Sequence, residues 1–344
     1  MAVKSAEIYM QMALNAAKKA WGLTTPNPMV GAVAVNADGE VVAEGWHHKA
    51  GMPHAEVEML QAAGGRAKGC TVYVTLEPCC TYGRTPPCTK ALIDAGVGKV
   101  VIGCLDPNPN HAGKAVAVLQ RAGIAVEVGV LAAECRALNR AFFTWITQKR
   151  PFVLLKMAAT LDGKTATADG ESKWITGSAA RLRVQELRRW ADAIMVTGKT
   201  VRIDKPSLTV REPADWPKKL RKIIATSWMS KTDLAAYFPD DPEVEAVELG
   251  SRAAWHAFLR RLGSENITAL LLEGGSELAG MAVEAGVVDA VEFHFAPKLL
   301  CGRNARPLTG GDERSLALAA PLSNMTAEFI GPDLVVKADI INKD

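Results

Sequence analysis

Two successive α/β domains are what this chain predicts, on three observations. Its 344 residues exceed one ordinary domain of about 100–200 residues. Short β-rich runs alternate with helical ones along the whole length, the pattern of layered α/β architecture. Near the middle a polar stretch, Thr147-Gln148-Lys149-Arg150-Pro151, interrupts the alternation, and proline disfavours helix at the residue before it. Domains are therefore expected over residues 1–148 and 149–344.

The N-terminal segment MAVKSAEIYMQMALNAAKKAWG mixes Lys4, Glu7, Lys18 and Lys19 among apolar residues, which makes it an amphipathic helix and no signal peptide. Met29–Val35 and Val41–Gly45 form a hairpin around Asn36-Ala37-Asp38-Gly39. Ala55–Ala63 is a helix, Thr71–Leu76 a strand and Thr89–Ala95 a helix. Strand Lys99–Gly103, helix Lys114–Ala122 and strand Ala125–Gly129 follow, then one helix from about Ala132 to Trp145. Beyond the boundary come strand Phe152–Ala158, helix Ala179–Trp190 and strands Ala193–Thr197 and Lys222–Thr226. Helix Arg252–Leu262, strand Ala269–Glu273, helix Glu277–Ala285 and strand Ala290–Ala296 complete the pattern, with no internal repeat or low-complexity tract.

Composition narrows the function. Hydrophobic content of 49% and charged content of 22% suit a soluble globular protein. Forty basic against 37 acidic residues give +3, with no block of like charges, so no polyanion-binding surface is advertised. No run is long enough to span a bilayer. Seven cysteines, an odd number without an export signal, favour reduced thiols in a cytoplasmic protein, used for metal or catalysis.

Three of those cysteines lie in EPCCTYGRTPPC, Glu77 to Cys88. Upstream sits His54-Ala55-Glu56. One imidazole and two thiolates with a vacant fourth position is the ligand set of a catalytic zinc that keeps a water. Glu56, two residues from His54, is close enough to handle protons without being a ligand. Cys88 opens a helix, where the dipole favours a thiolate. Adjacent Cys79 and Cys80 point in different directions, and Pro78 fixes the turn before Cys79, so Cys79 is the expected ligand and Cys80 the spectator. H-x-E followed by P-C and a later Cys is close to the zinc-deaminase signature. Against three buried cysteines with a chance histidine stands that signature, and a closed structural zinc using all three cysteines with His54 would leave Glu56 unexplained.

HAE, TLEPCCTYGRTPPC, DPNP at Asp106–Pro109 and TTPNPMVGAVAV at Thr24–Val35 together resemble the deaminase half of the bifunctional riboflavin-biosynthesis deaminase/reductases. The eight residues between Cys79 and Cys88, GRTPP among them, are a mark of that family, where other zinc deaminases have two. The resemblance implies a cytidine-deaminase-like three-layer domain with zinc on His54, Cys79 and Cys88, and Glu56 as proton carrier. It implies hydrolytic deamination of a free pyrimidine nucleotide, with no nucleic acid or membrane partner. Asn27 is a candidate for the pyrimidine ring and Arg84 for the phosphate, although a polar surface loop explains Arg84 equally well. Two departures stand near the motifs: Glu58 where the family often has His, and Asn110-His111 after DPNP.

The second half is harder to read unaided. Gly163–Thr165 and Gly198–Thr200 suggest a P-loop, but Ala158 and Ala193 occupy the first glycine's place. LLLEGGSELAG carries a strand into Glu273-Gly274-Gly275 and a helix, a turn that can meet phosphate or simply turn. The blocks LKMAATLDGKTA, GESKWITG, VTGKTVRIDKPSLTVR and LLEGGSELAG, then FAPKLL and GPDL, resemble the reductase half of the same family in the same order. The resemblance implies a dihydrofolate-reductase-like domain using NADPH and forming a homo-oligomer. By it, Ala158, Trp174, Thr200, Asp204, Gly275, Ser276, Glu277, Leu278, Ala279, Gly280 and Met281 hold NADPH. Ser172, Arg188, Leu208, Arg211 and Glu273 hold substrate, the two arginines suiting a phosphomonoester. A solvated helix face explains Arg188, and a core place Trp174, just as simply. Lys205 replaces a common Asp, Cys301 stands where glycine is usual, and Lys156 is left without a role.

Overall fold

The computed structural model describes residues 5–82, 86–109 and 111–341, and it divides into two compact units, Met1–Lys149 and Arg150–Asp344. In the first, the order is α1 (Ala6–Lys18), β1 (Gly31–Val35), β2 (Val41–Trp46), α2 (Ala55–Ala63), β3 (Thr71–Leu76), α3 (Cys88–Asp94) and β4 (Lys99–Cys104). It continues with α4 (Lys114–Arg121), β5 (Ala125–Val128), α5 (Ala132–Leu138) and α6 (Arg140–Gln148). The sheet runs β2-β1-β3-β4-β5, with β1 antiparallel to both neighbours and β3, β4 and β5 parallel.

All five residues of β1 are buried because both faces of the sheet are covered. Ala32 and Ala34 point into a core shared with Met59 of α2, while Val33 and Val35 point into one shared with Met10 and Ala13 of α1. Alternation across a strand thus becomes three layers. Gly45 sets how close α2 approaches: a Cβ there would lie 2.3 Å from the Met59 amide nitrogen. That contact holds the start of α2, and with it His54 and Glu56, against the sheet.

The single helix expected from Ala132 to Trp145 is two, broken at Asn139. The buried Asn139 side chain accepts from the Met29 amide and donates to the Met29 carbonyl, both at 2.8 Å. A partner 110 residues away therefore outweighs local periodicity.

The second unit runs β6 (Phe152–Thr160), β7 (Lys164–Ala166), α7 (Ser178–Trp190), β8 (Ala193–Thr197), α8 (Gly198–Asp204), β9 (Arg221–Ala225) and α9 (Lys231–Tyr237). Then come β10 (Glu245–Val247), α10 (Arg252–Ser264), β11 (Ala269–Glu273), α11 (Ser276–Glu284), β12 (Ala290–Ala296), β13 (Arg306–Pro307), β14 (Leu322–Ile330) and β15 (Asp333–Ile340). Eight strands form one sheet in the order β10-β9-β8-β11-β6-β12-β15-β14, and β13 pairs with β7 separately. The strands from β10 to β12 are parallel, while β15 and β14 are antiparallel additions. Val153, Leu155, Leu270 and Leu272 pack against α10 and α11 in the main core, through Leu259, Leu262, Leu278 and Ala282.

The α/β class stands, and several short elements of this unit add to it: β7, α8, α9, β10 and the β14–β15 hairpin carry too few periodic apolar residues to be separated from loop. Cys301 takes the left-handed region at φ 59, as does Lys205 at φ 44, which explains why glycine suits position 301. No helix among the described residues is long and apolar enough to cross a membrane.

Candidate active sites

In the first unit three chain segments meet. His54 is the N-cap residue of α2, in an extended backbone conformation and without a side-chain cap bond. Cys79 follows β3, and Cys88 is the first residue of α3, whose amide donates to the Cys79 sulfur at 3.2 Å. The His54 Nδ1 lies 3.6 Å from the Cys79 Sγ and 3.3 Å from the Cys88 Sγ, and all three donor atoms lie within 4.8 Å of one another. Zn–S bonds of about 2.3 Å and Zn–N bonds of about 2.0–2.1 Å at a tetrahedral angle give an N–S edge of about 3.6 Å. The donor set therefore fits zinc in both chemistry and spacing.

The three donors perturb one another's titration. The hydrogen bond with Cys88, reinforced by His54, pushes the Cys79 thiol down, while the same shared proton and burial push Cys88 up. The hydrogen bond to Cys79 raises His54 against burial. Glu56 is almost fully buried, and its carboxyl is pushed up to about 7 by desolvation first and the neighbouring Cys79 charge second.

Cys80 turns away: its Sγ faces the His111 Nδ1 at 3.8 Å, outside the three-donor cluster. Cys80→Ser is therefore expected to leave about one zinc per chain by elemental analysis, and loss of the metal would remove Cys80 from its spectator place.

Three groups that sequence reasoning missed complete this site. The His47 Nδ1 meets the Pro53 carbonyl at 2.9 Å, so Nδ1 carries the proton and Nε2 accepts from the Asn27 amide at 3.1 Å. Burial lowers the His47 pKa, consistent with a neutral ring. The Glu77 carboxylate accepts from the amides of Asp106, Gly113 and Ala115 at 3.1, 2.8 and 3.0 Å, tying the residue after β3 to the segment after β4 and the start of α4. Asp106 in turn accepts from the Asn108 amide at 2.8 Å. Paired histidines in WHHKAG and the acid in LEPC were the available signals. Arg84 lies outside the described residues, and Glu58 faces His48 at 3.9 Å.

In the second unit the named residues gather around the C-terminal ends of the parallel strands, where ligands of open α/β sheets bind. Glu273 ends β11, and its carboxylate forms a two-point pair with Arg188 of α7. The third Arg188 nitrogen donates to the Thr209 carbonyl at 2.9 Å. Burial alone would raise Glu273, but Arg188, then Lys156 and Arg211, hold it below the usual carboxylate range. Arg211 is exposed, with its amide on Gln185 at 2.8 Å. Leu208 is buried and left-handed at φ 51. Lys156 stands in register between Glu273 and Glu292 on the neighbouring strands, its pKa lowered by burial.

The Ser172 hydroxyl donates to Asp204 at 3.2 Å, and the Lys173 ammonium donates to the Asp204 carbonyl at 2.7 Å. Thr200 bonds to Thr197, the cap of α8. Trp174 is 63% exposed, with the Arg181 guanidinium 4.8 Å over its ring, which removes the core explanation. Ala158 lies within the central strand β6. Gly274 and Gly275 have φ of 96° and 88°, leaving the α11 N-terminus without a side-chain cap. A Cβ on Gly274 would meet open space, so those amides form a cradle that a phosphate fits. Ser276 instead donates to the Pro307 carbonyl at 2.5 Å, and Glu277 accepts from Gly311 at 3.3 Å. The side chains of Leu278 and Ala279 face the core, and Gly280 lies against the Gly310 backbone, so no side chain of these three is open to a ligand. Met281 is exposed.

Residues 3–104 match the family model for the cytidine and deoxycytidylate deaminase zinc-binding region, and residues 151–336 that for the RibD C-terminal domain. The chain belongs to the RibD family. It is 42% identical to the riboflavin biosynthesis protein RibD of Actinobacillus pleuropneumoniae, covering 97% of this chain and 95% of that one. Against the Escherichia coli K12 protein it is 40% identical, covering 95% and 97%. The solved Acinetobacter baumannii RibD superposes with a TM-score of 0.87 at 36% identity, covering 97% of this chain and 98% of that one. A Thermotoga maritima structure, described as a diaminohydroxyphosphoribosylaminopyrimidine deaminase/5-amino-6-(5-phosphoribosylamino)uracil reductase, matches at 0.84 and 33%, with the same coverage. The enzyme is thus a bifunctional deaminase and reductase of riboflavin biosynthesis, with its zinc-binding region in the first unit.

Proposed function

We propose that the first unit hydrolyses the exocyclic amine of 2,5-diamino-6-(5-phosphoribosylamino)pyrimidin-4-one, and that the second then reduces its ribosyl group to ribityl phosphate with NADPH. The observation that carries the first step is the tetrahedron-edge spacing of His54, Cys79 and Cys88, with Glu56 buried beside them and left out of the donor set. Zinc held there by His54, Cys79 and Cys88 would supply a Lewis acid, which brings the pKa of a bound water to about 7. Glu56 takes that water's proton on its carboxylate and returns it to the amino nitrogen that leaves as ammonia. Neutral His47 fixes the Asn27 amide nitrogen, which leaves the amide oxygen, without a partner among the described residues, to accept from the pyrimidine.

For the second step, NADPH bound in this unit would supply the hydride for the ribose anomeric carbon, presented as open-chain imine or carbonyl. The Gly274–Gly275 cradle would seat its pyrophosphate. Because Arg188 is committed to Glu273 and Thr209, it orients Glu273, and exposed Arg211 is the guanidinium left to read the substrate phosphate. A coupled assay tests the order: ammonia release from the pyrimidine nucleotide, then NADPH oxidation only after deamination. NADPH oxidation by the undeaminated nucleotide would overturn it.

We also propose a cytoplasmic homo-oligomer formed through the reductase unit. The edge strand β14 exposes Met325 and Phe329, and Leu316 and Leu318 beside it are exposed too, which edge strands of monomers usually avoid. A monomeric mass by light scattering at micromolar concentration would rule this out.

A further inference from the structure

We infer that Lys298 is a positioning residue of the reductase: it holds the segment Ser172–Gly177 in the shape that presents Ser172 to substrate and Trp174 to NADPH. The inference rests on the reading above that these two residues meet those ligands. Lys298 lies in FAPKLL, a block that supplies no ligand-binding residue of its own.

Residues 172–177 belong to no helix or strand, and each of them is bonded to a partner outside the segment. At the start, the Ser172 hydroxyl and the Lys173 ammonium reach Asp204 of α8. In the middle, the Lys298 ammonium donates to two successive carbonyls, Trp174 at 3.2 Å and Ile175 at 2.9 Å. Arg181 of α7 donates to the Thr176 carbonyl at 2.8 Å, with its guanidinium 4.8 Å over the Trp174 ring. At the end, the Gly177 amide donates to Asp333, in the GPDL block, at 2.7 Å. The Trp174 side chain is 63% exposed, so core packing does not fix it. The outside bonds do.

Lys298 can act as an anchor because its own backbone is held. Its carbonyl accepts from the Leu161 amide at 2.9 Å, and its amide donates to the Ala296 carbonyl at 2.7 Å. Just beyond it, the amides of Leu300 and Cys301 donate to the Asp162 carboxylate at 3.1 and 2.7 Å. The same carboxylate accepts from the Thr160 hydroxyl at 2.6 Å, which ties this turn to the end of β6. Among the described residues Lys298 has no carboxylate partner, so its charge serves the two carbonyls. A ligand that needs a shape populated for only part of the time binds more weakly by that fraction. Without the Lys298 ammonium the segment samples other shapes, and substrate and NADPH both lose affinity. At saturation both ligands hold the segment in place, so hydride transfer keeps its rate. General damage to the fold acts differently: it removes active enzyme, lowering kcat and leaving KM alone.

The test compares full-length Lys298→Met and Lys298→Arg with the parent. Methionine keeps the apolar stem without a donor, whereas arginine restores charged donors. NADPH oxidation is followed with pre-deaminated substrate, and tryptic cleavage after the exposed Lys173 is timed on the enzyme without ligands. Lys298→Met should raise KM for both ligands about five- to fiftyfold, the equivalent of two ordinary hydrogen bonds, with kcat within about threefold of the parent. Cleavage after Lys173 should quicken, since proteolysis follows the open population. Lys298→Arg should recover most of both effects, and ammonia release should be unchanged in either variant. Unchanged KM values in Lys298→Met, or a fall in kcat with KM intact, would overturn the proposal. A parent that oxidises no NADPH would overturn the ligand reading beneath it; cleavage after Lys173 would still report on the anchor, and an unchanged rate there would overturn the anchor itself.

Discussion

Glu56→Gln is expected to lower the deamination rate by about 10²–10⁴-fold or more, the usual contribution of a positioned general acid/base, with zinc content unchanged. The amide keeps the volume and one acceptor oxygen but cannot carry a proton from water to the leaving nitrogen. The site geometry makes this a clean test, because the clustered candidate donors are the His54 Nδ1 and the Cys79 and Cys88 sulfurs, with Glu56 outside the set. Burial, which holds the Glu56 carboxyl up to about 7, also keeps it near the pH at which a group both takes and gives a proton. Pre-deaminated substrate should still oxidise NADPH at near the parental rate, since the second unit uses none of these side chains. Zinc loss in the variant would make Glu56 a ligand or a prop, and unchanged deamination would take it out of the mechanism.

Glu273→Ala should cost the second unit about 3–5 kcal/mol, because it leaves the buried Arg188 guanidinium without its counter-charge. Both partners are largely buried, with side-chain exposures of 9% for Arg188 and 13% for Glu273, so solvent cannot replace the lost carboxylate. Lys156, already held in register beside Glu273, would face an unbalanced positive neighbour as well. The expected readout is a lower midpoint in urea for the second transition. Removing both partners, as Arg188→Met with Glu273→Leu, should cost less than the single change, since an apolar pair leaves no buried charge. A loss under about 1 kcal/mol for Glu273→Ala would show that water reaches the guanidinium and that the pair is an ordinary surface bridge.

Much of the deaminase site was legible because its signals are local. HAE at a helix start and PCC with a later Cys at a second helix start define three donors within two short segments, and Pro78 separates Cys79 from Cys80 by turn direction. The reductase half was legible only through blocks of resemblance. Its residues lie on β6, α7, α8, β11 and α11, and the sheet order that joins them is not sequential. Arg188 shows the difference: its helix reads as a solvated arginine-rich surface, whereas the tertiary structure buries it on Glu273, 85 residues away. Leu278 and Ala279 show the converse, since a block assigned whole to the cofactor turns two of its side chains into the core.

By itself the sequence determined the α/β class of both halves and marked His54, Cys79, Cys88 and Glu56 as candidates, because periodicity, helix starts and short motifs such as HAE and PCC are local signals. Only the tertiary structure decided the break at Asn139, the neutral tautomer of His47, the Glu77 clamp and the commitment of Arg188. Each depends on a polar group finding a partner outside its own element, from six residues away for His47 and Pro53 to 110 for Asn139 and Met29, and a buried polar group takes whichever partner the packed backbone places within hydrogen-bonding distance.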